Sequence, residues 1–392
     1  MHIAYLIPTI DRIGGAERQL ILLATGMARR GWRVTVIALH GNGGRAADEL
    51  SANNISFLSL GMHHGLVDPR GWASLRRWIS SARPEIVHTH LAQAALMARG
   101  IRLVAPIRAL VDTIHSPAIG SSPRQLAYRF TSRIPDSVTA VSRSCARPWL
   151  GARVVDHSTL TVIPNGVDTT FWKPGSESRT GERSPSNSTR GFRWLAVGRL
   201  DAVKDHATLL QAFAMLPQSA RLVIAGSGPL EQPLRLQAAS LDIQDRIQFL
   251  GFQNDVRQLM HNADAFVLSS RWEGLPVALM EACACHLPAV FTETPGSREL
   301  LADSPLPIAP VGDPVALARA MNALMSLSEC ERQGLATRAR LQIMARFDLA
   351  TVLDRYEFLY DNLLAANPQR SRTRMRLGSL RRAPICSSNQ ET

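Results

Sequence analysis

Short β-rich runs alternate with amphipathic helical stretches along nearly the whole chain, and the alternation stops once and then starts again. H-I-A-Y-L-I-P (2–8) reads as a strand, Ala16 to Arg30 as an amphipathic helix, and R-V-T-V-I-A-L (33–39) as the next strand. I-V-H-T-H (86–90), A-L-V-D-T-I-H (109–115) and S-V-T-A-V-S (137–142) continue the series. The stretch 173–191, K-P-G-S-E-S-R-T-G-E-R-S-P-S-N-S-T-R-G, interrupts it with polar chain rich in Gly, Pro and Ser, as a loop or linker requires. The pattern resumes at F-R-W-L-A-V-G (192–198) and runs through 220–226, 246–251, 263–269 and 287–292. Such spacing predicts an α/β fold of two doubly wound parallel sheets joined near 168–191. The expected layout is an N-terminal domain over 1–170, a linker over 171–191 and a second domain over 192–347. A last helix over 348–366 and a basic, disordered tail over 367–392 complete it.

A chain of 392 residues with 45% apolar content suits two globular domains. Its five cysteines (145, 283, 285, 330, 386) are scattered and odd in number, which argues for a reducing compartment and against a disulfide framework. Cys283-Ala-Cys285 is compatible with a metal, but no His/Cys cluster lies near it, and packing of small apolar groups is the favoured reading. M-H-I-A-Y-L-I-P-T lacks the features of a signal peptide, and no apolar run approaches the ~20 residues of a spanning helix. A cytoplasmic protein is expected.

The formal charge of +12 is unevenly placed. Residues 1–170 carry 19 Arg against 10 acidic residues, 171–366 are near neutral, and the tail beyond 366 holds six Arg and one Glu. A basic N-terminal half implies an anionic partner: nucleic acid, a phospholipid surface or a phosphorylated substrate. A general bias toward Arg explains the residue type without explaining the asymmetry. L-V-D-P-R-G-W-A-S-L-R-R-W-I (66–79) sets Trp72 and Trp78 among Arg70, Arg76 and Arg77. It reads either as a helix lying in a headgroup region or as one packed on a core.

Ligands of open parallel sheets bind beyond the carboxyl ends of the strands, so the turns there carry the functional signal. T-I-D-R-I-G-G-A-E-R (9–18) opens a helix with Gly14 and Gly15, which permit close backbone approach to an anion. G-R-L-D-A-V-K-D (198–205) places Arg199 and Lys204 around a short turn, where two cations could neutralise a diphosphate or simply be solvated. Lys204 is one of only two lysines in the chain. G-S-G-P-L-E, beginning at Gly226, has Glu231 where a dinucleotide fingerprint has its third glycine, which speaks against a nicotinamide or flavin site. In S-S-R-W-E-G-L-P-V-A-L-M-E-A-C-A-C (269–285), a strand's exit loop leads into a helix expected over Leu275–Cys285. The N–H groups of Gly274 and Leu275 would face the cleft and suit phosphate oxygens. Glu273 and Glu281, eight positions apart, could each accept sugar hydroxyls, although Glu281 could instead pair with an Arg. No two aspartates have D-x-D spacing, so helix dipoles and the Arg199/Lys204 pair would have to replace a metal in holding a nucleotide diphosphate.

Taken in order, G-G-A-E-R (14–18), I-P-N-G-V-D (163–168), V-G-R-L-D-A-V-K-D (197–205), I-A-G-S-G-P-L (224–230), F-L-G-F (249–252) and W-E-G-L-P-V-A-L-M-E-A (272–282) resemble the motifs of the family 4 retaining glycosyltransferases. The resemblance runs from about residue 3 to 364. It implies the GT-B fold: two Rossmann-like domains facing across a cleft, with the C-terminal helix returning to the N-terminal domain. It also implies transfer of a sugar, with retained configuration, from a UDP-linked donor to a saccharide or lipid-linked acceptor of the cell envelope. No metal or other cofactor and no nucleic acid is expected, and the basic N-terminal domain would make peripheral contact with the inner face of the membrane. By this likeness Glu273 would contact the donor sugar, Glu281 the ribose, and Arg199 and Lys204 the diphosphate, with Gly15 letting the first loop approach. His115 matches a cleft histidine near the sugar, although a structural histidine is equally consistent with its setting. His88 and His90 read as strand-end packing or acceptor-side residues. The chain departs from the family after P-G-S-R-E (295–299), where L-L-A-D-S-P-L-P replaces a Gly-rich turn and leaves Glu299 without a firm role. An epimerase or phosphorylase on the same fold, or a non-catalytic subunit, remains open on sequence alone.

Overall fold

The computed structural model describes residues 1–11, 14–63, 68–175, 191–302 and 304–366. The expected linker therefore lies largely, and the basic tail wholly, outside the described residues. In the first half, strands β1 (His2–Ile7), β2 (Arg33–Ala38), β3 (Ser56–Ser59), β4 (Ile86–His90), β5 (Ala109–Ile114), β6 (Ser137–Ala140) and β7 (Leu160–Val162) form one parallel sheet. Helices α1 (Gly15–Arg29), α2 (Gly44–Ala52), α3 (Pro69–Ala82), α4 (Ala92–Arg102), α5 (Ser122–Phe130) and α6 (Arg143–Gly151) make the crossovers. With helices on both faces, the central strands are buried throughout, which is why 2–7, 86–90 and 109–114 read as unbroken β-rich runs.

The second half repeats the plan. Its strands are β8 (Arg193–Val197), β9 (Arg221–Ala225), β10 (Ile247–Gly251), β11 (Ala265–Leu268), β12 (Ala289–Thr292) and β13 (Ile308–Ala309). Between and after them come α7 (His206–Ala214), α8 (Glu231–Ser240), α9 (Arg257–Asn262), α10 (Val277–Ala284), α11 (Pro295–Leu300), α12 (Pro314–Ser326) and α13 (Glu329–Phe347). The strand orders are β3-β2-β1-β4-β5-β6-β7 and β10-β9-β8-β11-β12-β13. Each order reverses once, beside β1 and beside β8. Those reversals splay neighbouring crossovers apart and open a crevice at the carboxyl ends.

The last helix, α14 (Leu349–Ala366), leaves the second half and returns to the first, as expected. Its entry is fixed by a parallel bridge between Val167 and Asp348. Arg30 of α1 pairs with Asp354 at 2.6 Å and Glu357 at 2.8 Å, and the Trp32 indole N–H donates to Glu357 at 2.9 Å. A side chain on Gly26 would run into Leu353, so the close approach of α1 and α14 depends on that glycine. Tyr360 reaches the sheet, bonding the Tyr5 hydroxyl at 3.3 Å and His88 Nδ1 at 2.7 Å.

Three short strands were not anticipated: 56–59, 160–162 and 308–309. All three are edge strands, where few residues pair and little apolar periodicity builds up. Trp72 and Trp78 resolve the ambiguity of 66–79 within the described part of that stretch. Both pack against the core cluster on one face of the first sheet, leaving Arg70, Arg76 and Arg77 outside. No described helix is long and apolar enough to cross a membrane.

Candidate active site

The turn after β8 is shaped by Asp201. Its Oδ1 accepts the N–H groups of Val203 and Lys204, both at 3.1 Å, and its Oδ2 holds Arg199 at 2.5 Å. The folded turn delivers Lys204 to the exit loop of β11, where Nζ meets Glu273 Oε1 at 2.6 Å. Ser270 Oγ donates to the same oxygen at 2.6 Å. Backbone contacts lock the two loops together: Arg271 N–H to Val203 O at 2.8 Å, and Ser269 Oγ to Lys204 O at 2.9 Å. Gly226, with φ +152°, brings the turn after β9 against the Gly198 carbonyl, a contact that any side chain would block. These three turns form one surface at the switch point between β8 and β11.

The helix following Glu273 starts later than its sequence indicated. Pro276 is extended (φ −74°, ψ 100°) and caps α10, so Gly274 and Leu275 precede the helix. Pro276 lacks an N–H and suits the cap position, where none is needed. Among the described residues nothing accepts the N–H of Gly274 or Leu275. The Gly274 carbonyl accepts Ser142 Oγ at 2.6 Å, and a Cβ at Gly274 would sit 2.5 Å from the His115 carbonyl oxygen. Glycine is thus needed for this loop of the second half to lie on the end of β5. Glu299 adds a second bridge: its carboxylate caps α6 by accepting the N–H groups of Arg143 at 2.8 Å and Ser144 at 3.0 Å.

Glu281 lies in α10, is 8% exposed, and its carboxylate has no hydrogen-bond partner among the described residues. Burial pushes its carboxyl up to about 8, with Arg18 drawing it down and Asp255 adding to the rise. Arg18 itself is paired with Glu49 at 2.9 Å, so Glu281 does not form the arginine pair that was its alternative. Gly14 and Gly15 stand across from α10. A Cβ on Gly15 would only touch Val277 at an ordinary 3.8 Å, so no protein contact demands glycine there. The Gly14 N–H is held by Glu17 at 3.0 Å. Burial raises the Glu17 carboxyl, while hydrogen bonding and the charge of Arg199 lower it.

The first half presents a neutral wall. His115 Nε2 lies 2.8 Å from His90 Nδ1, with the rings stacked at 5.0 Å. Behind them His88 is bonded by Tyr360 at Nδ1 and by Thr113 Oγ1 at 2.6 Å at Nε2, and Thr113 continues to Thr139. Burial pushes His115 down to about 4 and His88 to about 3, and holds His90 well below its usual value, so all three are neutral at pH 7. Among the described residues no group of three or more His, Cys, Asp or Glu is placed to hold a metal ion. Cys283 and Cys285 are buried in the packing of α10.

The structure therefore pairs Lys204 with Glu273 and seats Gly274 on the His115 carbonyl, with Gly226 packed on Gly198 beside Arg199 and Gly15 facing Val277. Glu281 lies one turn further along α10 and makes no hydrogen bond or salt bridge to any of these side chains. Sequence reasoning missed Asp201, Ser270 and Ser142. An aspartate two and three residues before the N–H groups it accepts was a visible turn signal; the two serines act through tertiary contacts and left none.

Two families match the chain, one in each half. Residues 13–171 match Glycosyltransferase Family 4, and residues 180–342 match Glycosyl transferases group 1. An Escherichia coli protein described as UDP-Gal:alpha-D-GlcNAc-diphosphoundecaprenol alpha-1,3-galactosyltransferase is 26% identical over 60% of this chain and 64% of its own. The chain thus spans somewhat less than two thirds of that relative. The lipopolysaccharide core biosynthesis glycosyltransferase LpsE of Rhizobium meliloti is 26% identical over 91% of this chain and 97% of its own. In fold, Anabaena Alr3699/HepE, solved in complex with UDP and glucose, superposes with a TM-score of 0.78 at 20% identity, over 92% of this chain and all of that one. With one family match on each of its two facing sheets, the chain has the GT-B fold and is related to Glycosyltransferase Family 4 and Glycosyl transferases group 1.

Proposed function

We propose that the protein moves a sugar from a UDP-linked donor to a hydroxyl of a lipid-linked or cell-envelope saccharide, with the anomeric configuration retained. One observation carries this reading: Gly274 is seated against the His115 carbonyl, which sets Glu273, Lys204 and two unused N–H groups opposite His115. In this reading the N–H groups of Gly274 and Leu275, with Lys204 and Arg199, take the diphosphate. Glu281 takes the ribose hydroxyls and Glu273 the sugar hydroxyls, while Gly14 and Gly15 let the first loop close over the phosphates. His115 and its carbonyl border the sugar from the other wall. Departure of the diphosphate breaks the bond from the anomeric carbon. The same phosphate oxygen accepts the proton of the incoming hydroxyl, whose oxygen bonds the anomeric carbon on the face just vacated.

The relatives' descriptions support the choice of partners. The Escherichia coli protein is named for a UDP-sugar donor and a diphosphoundecaprenol-linked acceptor, and LpsE for lipopolysaccharide core biosynthesis. Thermal-shift titration with UDP-, GDP- and ADP-sugars tests the donor, and UDP-sugars should stabilise most. Stabilisation by none of them removes the site assignment. Anomeric NMR of the product tests retention independently, and an inverted product would contradict it.

A further inference from the structure

Two buried polar side chains beside His115 lack partners among the described residues. His90 is 1% exposed; its Nδ1 lies 2.8 Å from His115 Nε2, and its Nε2 is buried with no hydrogen-bond partner. Asn165 is 8% exposed, and nothing described bonds its carboxamide. Both line one cavity of about 20 Å3, together with His115, Gln19, Tyr356 and Pro164. That volume holds one water, and the polar lining can supply the roughly three partners that a buried water takes. Leaving both groups bare would cost the desolvation of each.

Asn165 is held in place by the chain as it crosses between the halves. Gln19 clamps the next residue, donating to the Gly166 carbonyl at 2.9 Å and accepting the Gly166 N–H at 2.8 Å. A Cβ on Gly166 would sit 3.0 Å from Leu349 at the start of α14, and the bridge between Val167 and Asp348 follows directly. I-P-N-G-V-D (163–168) thus carries Asn165 to the histidines. Burial keeps both rings neutral at pH 7, so each has one ring proton. If His90 Nδ1 donates, His115 Nε2 is bare and the proton of His115 is on Nδ1. If His115 Nε2 donates, His90 Nδ1 is bare and the proton of His90 is on Nε2. Either way the two rings carry their protons on the same-named nitrogen, so the group that bonds His90 Nε2 decides the character of His115.

We propose that Asn165 and His90 are positioning residues for His115: one water, held between the Asn165 carboxamide and His90 Nε2, selects which ring nitrogen of His115 carries its proton. Where the water accepts from His90 Nε2–H, both rings are protonated at Nε2 and His115 Nδ1 is an acceptor. Where the water donates to a bare His90 Nε2, both are protonated at Nδ1 and His115 Nδ1 is a donor. The carboxamide of Asn165, anchored through the clamp on Gly166, orients the water and so fixes one of the two. His115 Nδ1 has no partner among the described residues and is left to a hydroxyl of the substrate. This role rests on the proposed placement of the sugar at His115.

Proton–nitrogen correlation spectra of the histidine rings in the full chain test the pairing without any donor. His90 and His115 should each show a single tautomer, with protons on the same-named nitrogen. Asn165→Leu removes the polar partner at similar volume, so His115 should become a mixture of both tautomers. His88, stacked on His90 at 4.5 Å but not bonded to it, should keep its signals. Asn165→Ser keeps a hydroxyl for the water and should restore a single tautomer. Should leucine unfold the chain, His90→Phe replaces it, with the same expectation for His115. With a UDP-sugar, kcat should fall about tenfold in the leucine variant while UDP affinity stays within about threefold. Protons on differently named nitrogens, an unmoved His115 in the variants, or equal changes at His88 would overturn the proposal. So would an unchanged kcat in a variant whose His115 tautomer has moved. Failure of the unmodified chain to bind UDP counts against the donor reading alone, because the spectra decide the pairing by themselves.

Discussion

The two walls of the cleft are built from opposite chemistry on the same topology. The second half offers charge: Lys204 against Glu273, Arg199 against Asp201, and main-chain N–H groups left open at Gly274 and Leu275. The first half offers buried neutral hydrogen bonds, from His115 through His90, and from His88 to Thr113 and Tyr360 on the returning helix. A charged wall can neutralise a departing diphosphate, whereas a neutral one can bound a sugar without competing for its phosphates. The contrast also predicts where damage appears: in rate for the charged wall, and in stability for the network behind the neutral one.

The largest effect should come from Lys204→Ala, which removes the cation and leaves Glu273 short of a partner. Initial rates should fall about 100- to 1000-fold with the circular dichroism unchanged. His115→Ala should cost less, roughly 10- to 100-fold in kcat, and should barely alter UDP affinity measured by calorimetry.

Stability should respond next. Gly26→Ala pushes a methyl into Leu353 where α1 meets α14, and chemical denaturation should show a loss of about 1–3 kcal/mol. Tyr360→Phe should cost about 1 kcal/mol, because the hydroxyl bonded to His88 is lost and little volume changes.

The smallest effect is pH-dependent. The Glu281 carboxyl is raised in the fold to about 8, above its unfolded value near 4.5, so the folded state holds its proton more tightly. Ligand-free stability should therefore decline as pH rises through that window. Glu281→Gln should remove this part of the decline, raising the melting temperature at the alkaline end by a few degrees while weakening UDP binding. An unchanged slope would show that Glu281 is solvated.

Much of this was legible in the sequence because local signals carried it. Unbroken apolar strands such as 86–90 and 109–114 and the polar break at 173–191 disclosed the doubled sheet. The motif residues fell where strand ends place them. What escaped was tertiary. Glu273 and Lys204 are 69 positions apart, and His88 and Tyr360 are 272 apart, so no window of sequence contains either pair. The start of α10 was misplaced by two residues because Pro276 suits a cap as well as a first turn. The role of Glu299 needed the amides of α6, which belong to the other half of the chain.

In the proposed site the charged wall binds the donor diphosphate. Calorimetric titration of UDP into the unmodified chain, Lys204→Ala and His115→Ala tests it most directly. UDP should bind the unmodified chain, with a loss of about 30-fold or more in Lys204→Ala and less than about threefold in His115→Ala. Equal affinity in Lys204→Ala, or a larger loss in His115→Ala, would contradict it.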